Sequence, residues 1–462
     1  MHRIVIVGGG FAGAACALHF LRDHPGIVAD LAIVEPRETL GAGLAYSTPA
    51  AEHRVNVAAA RMSVFPEEPM HFDAWARAQG VPTEDPASEM PDGRLYPRRA
   101  VFGRYVAAML GAEIARAPGV VFRHVRDTAR AIVPRGAGFD VSVGDGGRLE
   151  ADALVLAVSH TAPDLPAPLR GCARVIANPW DVGALAAVPP GARVLIVGTG
   201  LTACDVVATL LAQGHSGPIT AVSRHGLLPR PRTLLPVVAE GDFSTQPERT
   251  ALGFLRRIRA AIAVAQEAGR PWENIVDALR QQAVIAWGAL DWAERRRMLR
   301  HLRSFWDVHR FQSAPQIDEV IRNARAGGSL SLRAASIVSA EDAPGSTRVR
   351  LRPRGAGATG LESIEVDTVI NCTGPGHRSV VVTHPVLNGL AQAGALQADP
   401  ACLGILVDDH GRAIRTDGAA WPNLFVAGPL ARGTFGELMG LPQVNTQPRA
   451  VAAQLARLVE AA

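Results

Sequence analysis

The sequence predicts an α/β protein built from two strand–turn–helix units, the second inserted in the first, with a helical insertion. Three observations carry this reading. The apolar run Arg3-Ile4-Val5-Ile6-Val7 leads directly into Gly8-Gly9-Gly10-Phe11-Ala12-Gly13. A second run, Ala192-Arg193-Val194-Leu195-Ile196-Val197, leads into Gly198-Thr199-Gly200-Leu201-Thr202-Ala203. Buried-type strands then return at 366–375 and 424–429, as expected of a sheet split by an inserted domain.

In the first unit Gly8 permits the tight turn, Gly10 lets a pyrophosphate approach the backbone, and Gly13 lets helix pack on strand. The phosphates would then meet free N–H groups at the helix start. The next apolar run, Asp30-Leu31-Ala32-Ile33-Val34, ends in Glu35, 22 residues past Gly13. That is close to the spacing of an acid that accepts a ribose 2′-hydroxyl. Glycine turn, preceding strand and acid together describe a Rossmann-like dinucleotide site.

Residues 41–106 form a long, loop-rich passage that opens with Gly41-Ala42-Gly43-Leu44-Ala45-Tyr46-Ser47-Thr48. A connection of this length is more often functional than a spacer, and it reads as wrapping a cofactor. We expect Pro36, Asn56, Val57 and Met62 to contribute there. Tyr96-Pro97-Arg98-Arg99 precedes a helix from about 101 to 117. Residues 119–158 read as a β-meander with a hairpin at Gly144-Asp145-Gly146-Gly147, ending in a buried parallel strand over 153–158.

The second glycine turn carries Ala203 at its third position, which the fingerprint allows. Its following strand, Ile219-Thr220-Ala221-Val222, ends in Ser223-Arg224-His225 where the first unit has its acid. An arginine there suits a 2′-phosphate, and an acid would repel one. NADPH is therefore favoured over NADH at Gly198, Gly200, Leu201, Thr202, Ser223 and Arg224.

Residues 245–326 read as amphipathic helices and contain Phe305-Trp306-Asp307-Val308-His309-Arg310. Helical spacing puts Trp306 and Arg310 on one face, although a partly buried aromatic stripe with solvated charges would look the same. Strands at 329–338, 347–352 and 366–371 are expected to resume the first domain, bringing in Gly374. A last strand at 424–429 brings Gly428, and Leu441-Pro442-Gln443 opens the final helix. The expected division is 1–165 for FAD, 175–326 for NAD(P)H with its helical insertion at 245–326, and 327–462 for the second part of the FAD domain.

Composition narrows the functional classes. Hydrophobic residues make up 48% of the chain and charged residues 19%, the balance of a well-buried globular protein. The net charge of +4 is small and dispersed, which gives no case for nucleic acid. No apolar run is long enough for a membrane span. A strand beginning at residue 3 leaves no room for a signal peptide, so the expected location is cytoplasmic. All 47 basic residues counted as Lys plus Arg are Arg. That excludes a lysine Schiff base and a P-loop lysine, and leaves guanidinium, histidine and backbone N–H to bind anions. The cysteines Cys16, Cys172, Cys204, Cys372 and Cys402 form no C-x-x-C pair, so neither a metal centre nor a local redox disulfide is expected.

Two nucleotide units in one chain suggest a flavin and a nicotinamide with their rings brought together. At this point the sequence resembles the two-dinucleotide-domain flavoproteins, including the glutathione-reductase-like enzymes and class B flavin monooxygenases. More narrowly it resembles the bacterial FAD/NAD(P)-binding proteins related to flavin-dependent urate hydroxylases and aspartate N-hydroxylases. The shared marks are the turn at 8–13, Gly43 to Thr48, Asn56-Val57, Met62-Ser63-Val64-Phe65-Pro66, the turn at 198–203, Ser223 to Pro229, and Trp306 to Arg310.

The resemblance implies a monooxygenase that uses FAD, NAD(P)H and O₂, and hydroxylates a small anionic metabolite through a flavin C4a-hydroperoxide. The sequence departs from wider patterns in three places. Gly428-Pro429 stands where Gly-Asp is usual. Ala157-Val158-Ser159 is a degenerate strand end. Asn178-Pro179-Trp180 stands where related monooxygenases carry a histidine motif.

Arg98, Arg99 and Arg432 are the candidate substrate anchors, because a guanidinium fork suits a carboxylate or planar anion. Trp306, His309 and Arg310 are the candidate catalytic group, with His309 as the proton carrier. Urate is the narrower expectation, and N-hydroxylation of an amino acid such as aspartate is the first alternative. A flavin reductase that inserts no oxygen and a non-catalytic nucleotide-binding protein are the others.

Overall fold

The computed structural model describes residues 1–158, 162–355 and 357–461. Among the described residues sixteen strands form three sheets. The first unit contains β1 (His2–Val7), β2 (Ala29–Val34), β3 (Val120–Val125), β4 (Ala129–Arg135), β5 (Gly138–Val143), β6 (Gly147–Ala151) and β7 (Ala153–Leu156). The second contains β8 (Val175–Ile176), β9 (Val194–Val197), β10 (Ile219–Ser223), β11 (Leu330–Ala343), β12 (Ser346–Pro353), β13 (Glu362–Val366) and β14 (Thr368–Asn371). β15 (Arg412–Ile414) and β16 (Ala420–Val426) close the chain's β structure.

The first sheet runs β15-β16-β7-β1-β2-β3, and the second runs β13-β12-β11-β10-β9-β14-β8. β1 is buried from Ile4 to Val7 and lies parallel to both β2 and β7. A strand covered on both faces needs a continuous apolar run, which is why Ile4-Val5-Ile6-Val7 does not alternate. β9 repeats this arrangement with Val194-Leu195-Ile196-Val197 between β10 and β14. In each sheet the first strand thus sits where the strand order reverses, and a crevice opens beyond its carboxyl end.

The helices Phe11–Asp23 and Leu201–Ala212 follow the two glycine turns. Each begins at a glycine, Gly10 or Gly200, with no side-chain cap and no acid in the first turn. The helix Pro315–Ala326 packs Ile317, Ile321 and Ala324 into the same core as Ala203, Val207 and Leu210, as the crossover from β10 to β11. The helices between 251 and 310 surround a separate core around Phe243, Phe254 and Leu279.

Two expectations need correction. The strand at 120–125 is not in the meander; it pairs parallel with β2, and only β4, β5 and β6 form the antiparallel sheet. The chain does not resume the first sheet at 329 or 366. β11 pairs with β10, and β14 pairs with β9, both parallel. The first sheet is regained through β15 and β16, where Leu424, Phe425 and Val426 align with β7. A buried apolar run reports that a strand is covered, not which sheet covers it.

Candidate functional site: two glycine turns on one cleft

The two turns are built alike. Gly8 donates to the Val34 carbonyl at 2.9 Å and Gly198 to that of Val222 at 2.8 Å. Gly8 has φ +104° and Gly198 φ +112°. A Cβ on Gly8 would lie 2.4 Å from the Ala157 oxygen, and one on Gly198 would lie 2.2 Å from the Cys372 oxygen. Only glycine fits where the turn both has positive φ and touches the neighbouring strand end. A Cβ on Gly13 would meet the Gly8 oxygen at 1.9 Å, so helix packs directly on turn.

Gly8, Gly10, Phe11, Ala12 and Glu35 line a cleft of about 500 Å³. Thr202 of the second turn lines it too, as do Gly374 and Pro429 from the later strand ends. Glu35 is buried. Its Oε2 accepts the Gly9 N–H at 2.9 Å, and its Oε1 accepts from Arg37 Nη1 at 2.9 Å. The acid therefore holds the glycine loop while facing the cleft. Gly428, at φ +89°, donates to Gln447 Oε1 at 2.8 Å, and a Cβ there would strike Ala12. Gln447 holds the strand end that Pro429 follows.

These features fit a dinucleotide. The uncapped helix starts leave N–H donors for phosphates, the site favours negative charge, and no Cβ obstructs Gly200, which has no atom within 4 Å of that position. Ser223 takes the place in the second unit that follows Val222, as Glu35 follows Val34. Its Oγ accepts from Thr199 Oγ1 at 2.8 Å and from the Gly226 N–H at 3.0 Å. Arg224 beside it is exposed.

A second, smaller cavity of about 150 Å³ lies where the 251–310 helices meet residues 403–439. Trp306 and Arg432 both line it, and Met439 lines this cavity and the cleft alike.

Other candidates are placed elsewhere. Arg99 pairs with Asp205 at 2.7 Å, tying the first unit to the helix after the second glycine turn. Arg98 lies 3.3 Å from Asp85. His309 donates from Nδ1 to the Phe305 carbonyl at 2.7 Å and stands edge-on to Trp272. Arg310 is buried on Glu437. None of these four lines either cavity. Asn56 donates to the Gln312 carbonyl at 3.2 Å, Val57 lines a separate hollow beside Arg232, and Met62 is in the core. Pro36 is exposed. Pro442 caps the last helix, and Gln443 accepts from Arg280 at 3.2 Å. Leu201 opens its helix half-buried. Ser159 lies outside the described residues.

The cleft also takes in Tyr46, Asn178, Trp180 and Met439, which had no assigned role. Tyr46 stood in the glycine-rich loop and Asn178 and Trp180 in a noted departure. Met439 carried no local signal.

A family model described as FAD-NAD(P)-binding matches residues 5–161, the segment from β1 past β7. Solved structures extend the likeness to the whole chain. An ornithine N-hydroxylase from Kutzneria sp. 744, with reduced FAD, NADP⁺ and L-ornithine, is 16% identical, covers 99% of both chains and gives a TM-score of 0.65. An L-lysine 6-monooxygenase from Pseudomonas syringae is 18% identical over 100% of this chain and 99% of its own, with a TM-score of 0.62. A cadaverine monooxygenase from Erwinia amylovora, bound to FAD, is 12% identical over 98% and 94%, with a TM-score of 0.61. The fold is therefore that of the two-dinucleotide-domain flavoproteins. A comparison with curated proteins returned no match.

The segment matched by the family model supplies the cleft's first wall, and the inserted unit supplies the second through Thr202 and Gly374. Among the described residues no helix is long and apolar enough to cross a membrane, and no His, Cys, Asp and Glu side chains gather to hold a metal ion.

Proposed function

We propose that this protein is an FAD-dependent, NADPH-using monooxygenase that hydroxylates the nitrogen of a small amine-bearing substrate. The observation that carries this reading is that the first glycine turn and Thr202, just past the second, line one cleft, with Met439 forming a wall to a mostly apolar chamber next to it. FAD supplies the hydride acceptance and oxygen activation when bound. The chain's part is to hold and to dry. Gly8, Gly10 and the uncapped start of Phe11–Asp23 hold pyrophosphate, and Glu35 accepts from ribose. Gly200 and Thr202 do the same for NADPH, with Arg224 on its 2′-phosphate. Apolar walls exclude the water that would divert reduced oxygen into H₂O₂.

Ornithine, lysine and cadaverine, the amines named for the similar structures, favour N-hydroxylation over urate oxidation. A disulfide reductase is disfavoured by the thiols. All five cysteines are free, and burial pushes Cys16 up to about 12 and raises Cys204 and Cys372 further from thiolate.

The test is oxygen uptake by FAD-loaded protein with NADPH and a panel of amines and amino acids, with H₂O₂ counted separately. The expected result is amine-stimulated NADPH oxidation with one oxygen consumed per NADPH and a hydroxylamine product. Stimulation by none of the amines, or complete conversion of the consumed oxygen to H₂O₂, would overturn the reading.

A further inference from the structure

The chamber beside the cleft has an unusual wall. Phe254, Leu279, Trp287, Leu302, Trp306 and Met439 make it largely apolar. Set into that wall is Arg432, only 5% exposed. Among the described residues its Nε and Nη2 have no hydrogen-bond partner. These two nitrogens share one edge of the guanidinium, the edge that grips a carboxylate through two parallel bonds.

The carboxylates that act on Arg432 electrostatically are Asp307, Asp399 and Glu437, and the last two are committed elsewhere. Glu437 accepts two bonds from Arg310 through one oxygen. Asp399 accepts the N–H groups of Ala401, Leu403 and Gly404. Asp307 meets Arg303 at 3.4 Å, and these two and Glu437 line the chamber with Arg432. Burial and the Arg303 charge lower the Arg432 guanidinium to about 9, against the pull of the three carboxylates. A buried donor pair of this kind is costly unless a ligand meets it.

Building on the monooxygenase reading, we propose that this chamber is the substrate subsite. It takes a carboxylate, held on the Nε–Nη2 edge of Arg432, carried on an apolar body about the size of a benzene ring. The volume supports the size: apolar cavities of roughly 150 Å³ accept benzene. A diamine would set a cation against Arg432, so the class favoured is an acid whose body is apolar and whose amine lies at the end away from the carboxylate. Met439 borders both spaces, which places the far end of such a molecule toward the cleft.

The test titrates FAD-loaded protein with benzoate and with benzamide, its neutral analogue, and follows tryptophan fluorescence, since Trp287 and Trp306 line the chamber. Benzoate is expected to bind roughly 10- to 100-fold more tightly than benzamide. Arg432→Met, checked for retained FAD, is expected to abolish that preference. Equal binding of the two probes to the unsubstituted protein, or benzoate binding unchanged in Arg432→Met, overturns the subsite. The comparison on unsubstituted protein needs no variant to fold. It also separates the two proposals. Benzoate preference without oxygen uptake on any amine leaves the subsite and removes the monooxygenase reading; hydroxylation of an amine without benzoate preference does the reverse.

Discussion

Arg310 sets both Nε and Nη2 on a single oxygen of Glu437, at 3.0 and 2.7 Å, with both side chains buried. The pair joins the helix Arg303–Arg310 to the segment that carries Met439. A Cβ on Gly440 would lie 3.0 Å from Arg310 Nη2, so the backbone closes around the guanidinium. Arg310 thus braces the segment that carries Met439.

Removing one member of this pair leaves a buried charge alone. Arg310→Met is expected to destabilise by about 3–5 kcal/mol, and adding Glu437→Leu to restore much of it. Thermal unfolding of the two variants checks this: the single substitution should melt below the double.

The two glycine turns are expected to fail differently. Gly8→Ala combines a φ of +104° with a 2.4 Å clash against Ala157, so the purified variant should lose its flavin absorbance. Gly200 has φ −82° and open space around its Cβ position. Gly200→Ala should fold and keep flavin but weaken NADPH, raising its KM by roughly tenfold, because the new methyl occupies the path of the pyrophosphate.

Cofactor choice is expected to rest on Arg224. Arg224→Ala should lower kcat/KM for NADPH by roughly 10- to 100-fold and leave NADH nearly unchanged, since only the 2′-phosphate loses a charge-assisted bond. Equal losses with both nucleotides would assign Arg224 to the fold instead.

His53 gives a pH dependence. Its ring shares hydrogen bonds with Thr48 at 2.9 Å and with Thr209, across the two units, at 3.0 Å. Burial lowers its pKa from the ordinary 6.5. The unfolded chain then binds more protons than the folded one below that value, so this stability is complete above pH 6.5 and lost as pH falls through the folded pKa. His19 and His384 are lowered by burial as well and add to the same trend. Melting temperature followed from neutral to acidic pH should fall less steeply in His53→Gln than in the unsubstituted protein.

Both glycine turns, Glu35 and the place of Ser223 were legible in the sequence. Their chemistry is local: a positive φ, a strand end against a neighbouring carbonyl, and a fixed run of residues between turn and acid leave a trace along the chain. Sheet membership was not legible. Val369 and Ile370 read as a buried strand, and only folding showed that they flank β9 rather than rejoin β1.

The arginines divide the same way. Sequence identified Arg98, Arg99, Arg310 and Arg432 as cations able to grip an anion. Tertiary structure brought Asp85, Asp205 and Glu437 to the first three and committed Asp399 and Glu437, beside the fourth, to other donors. A guanidinium's chemistry is written in its residue type, but its availability depends on which carboxylates the fold delivers to it, and those lie far away along the chain.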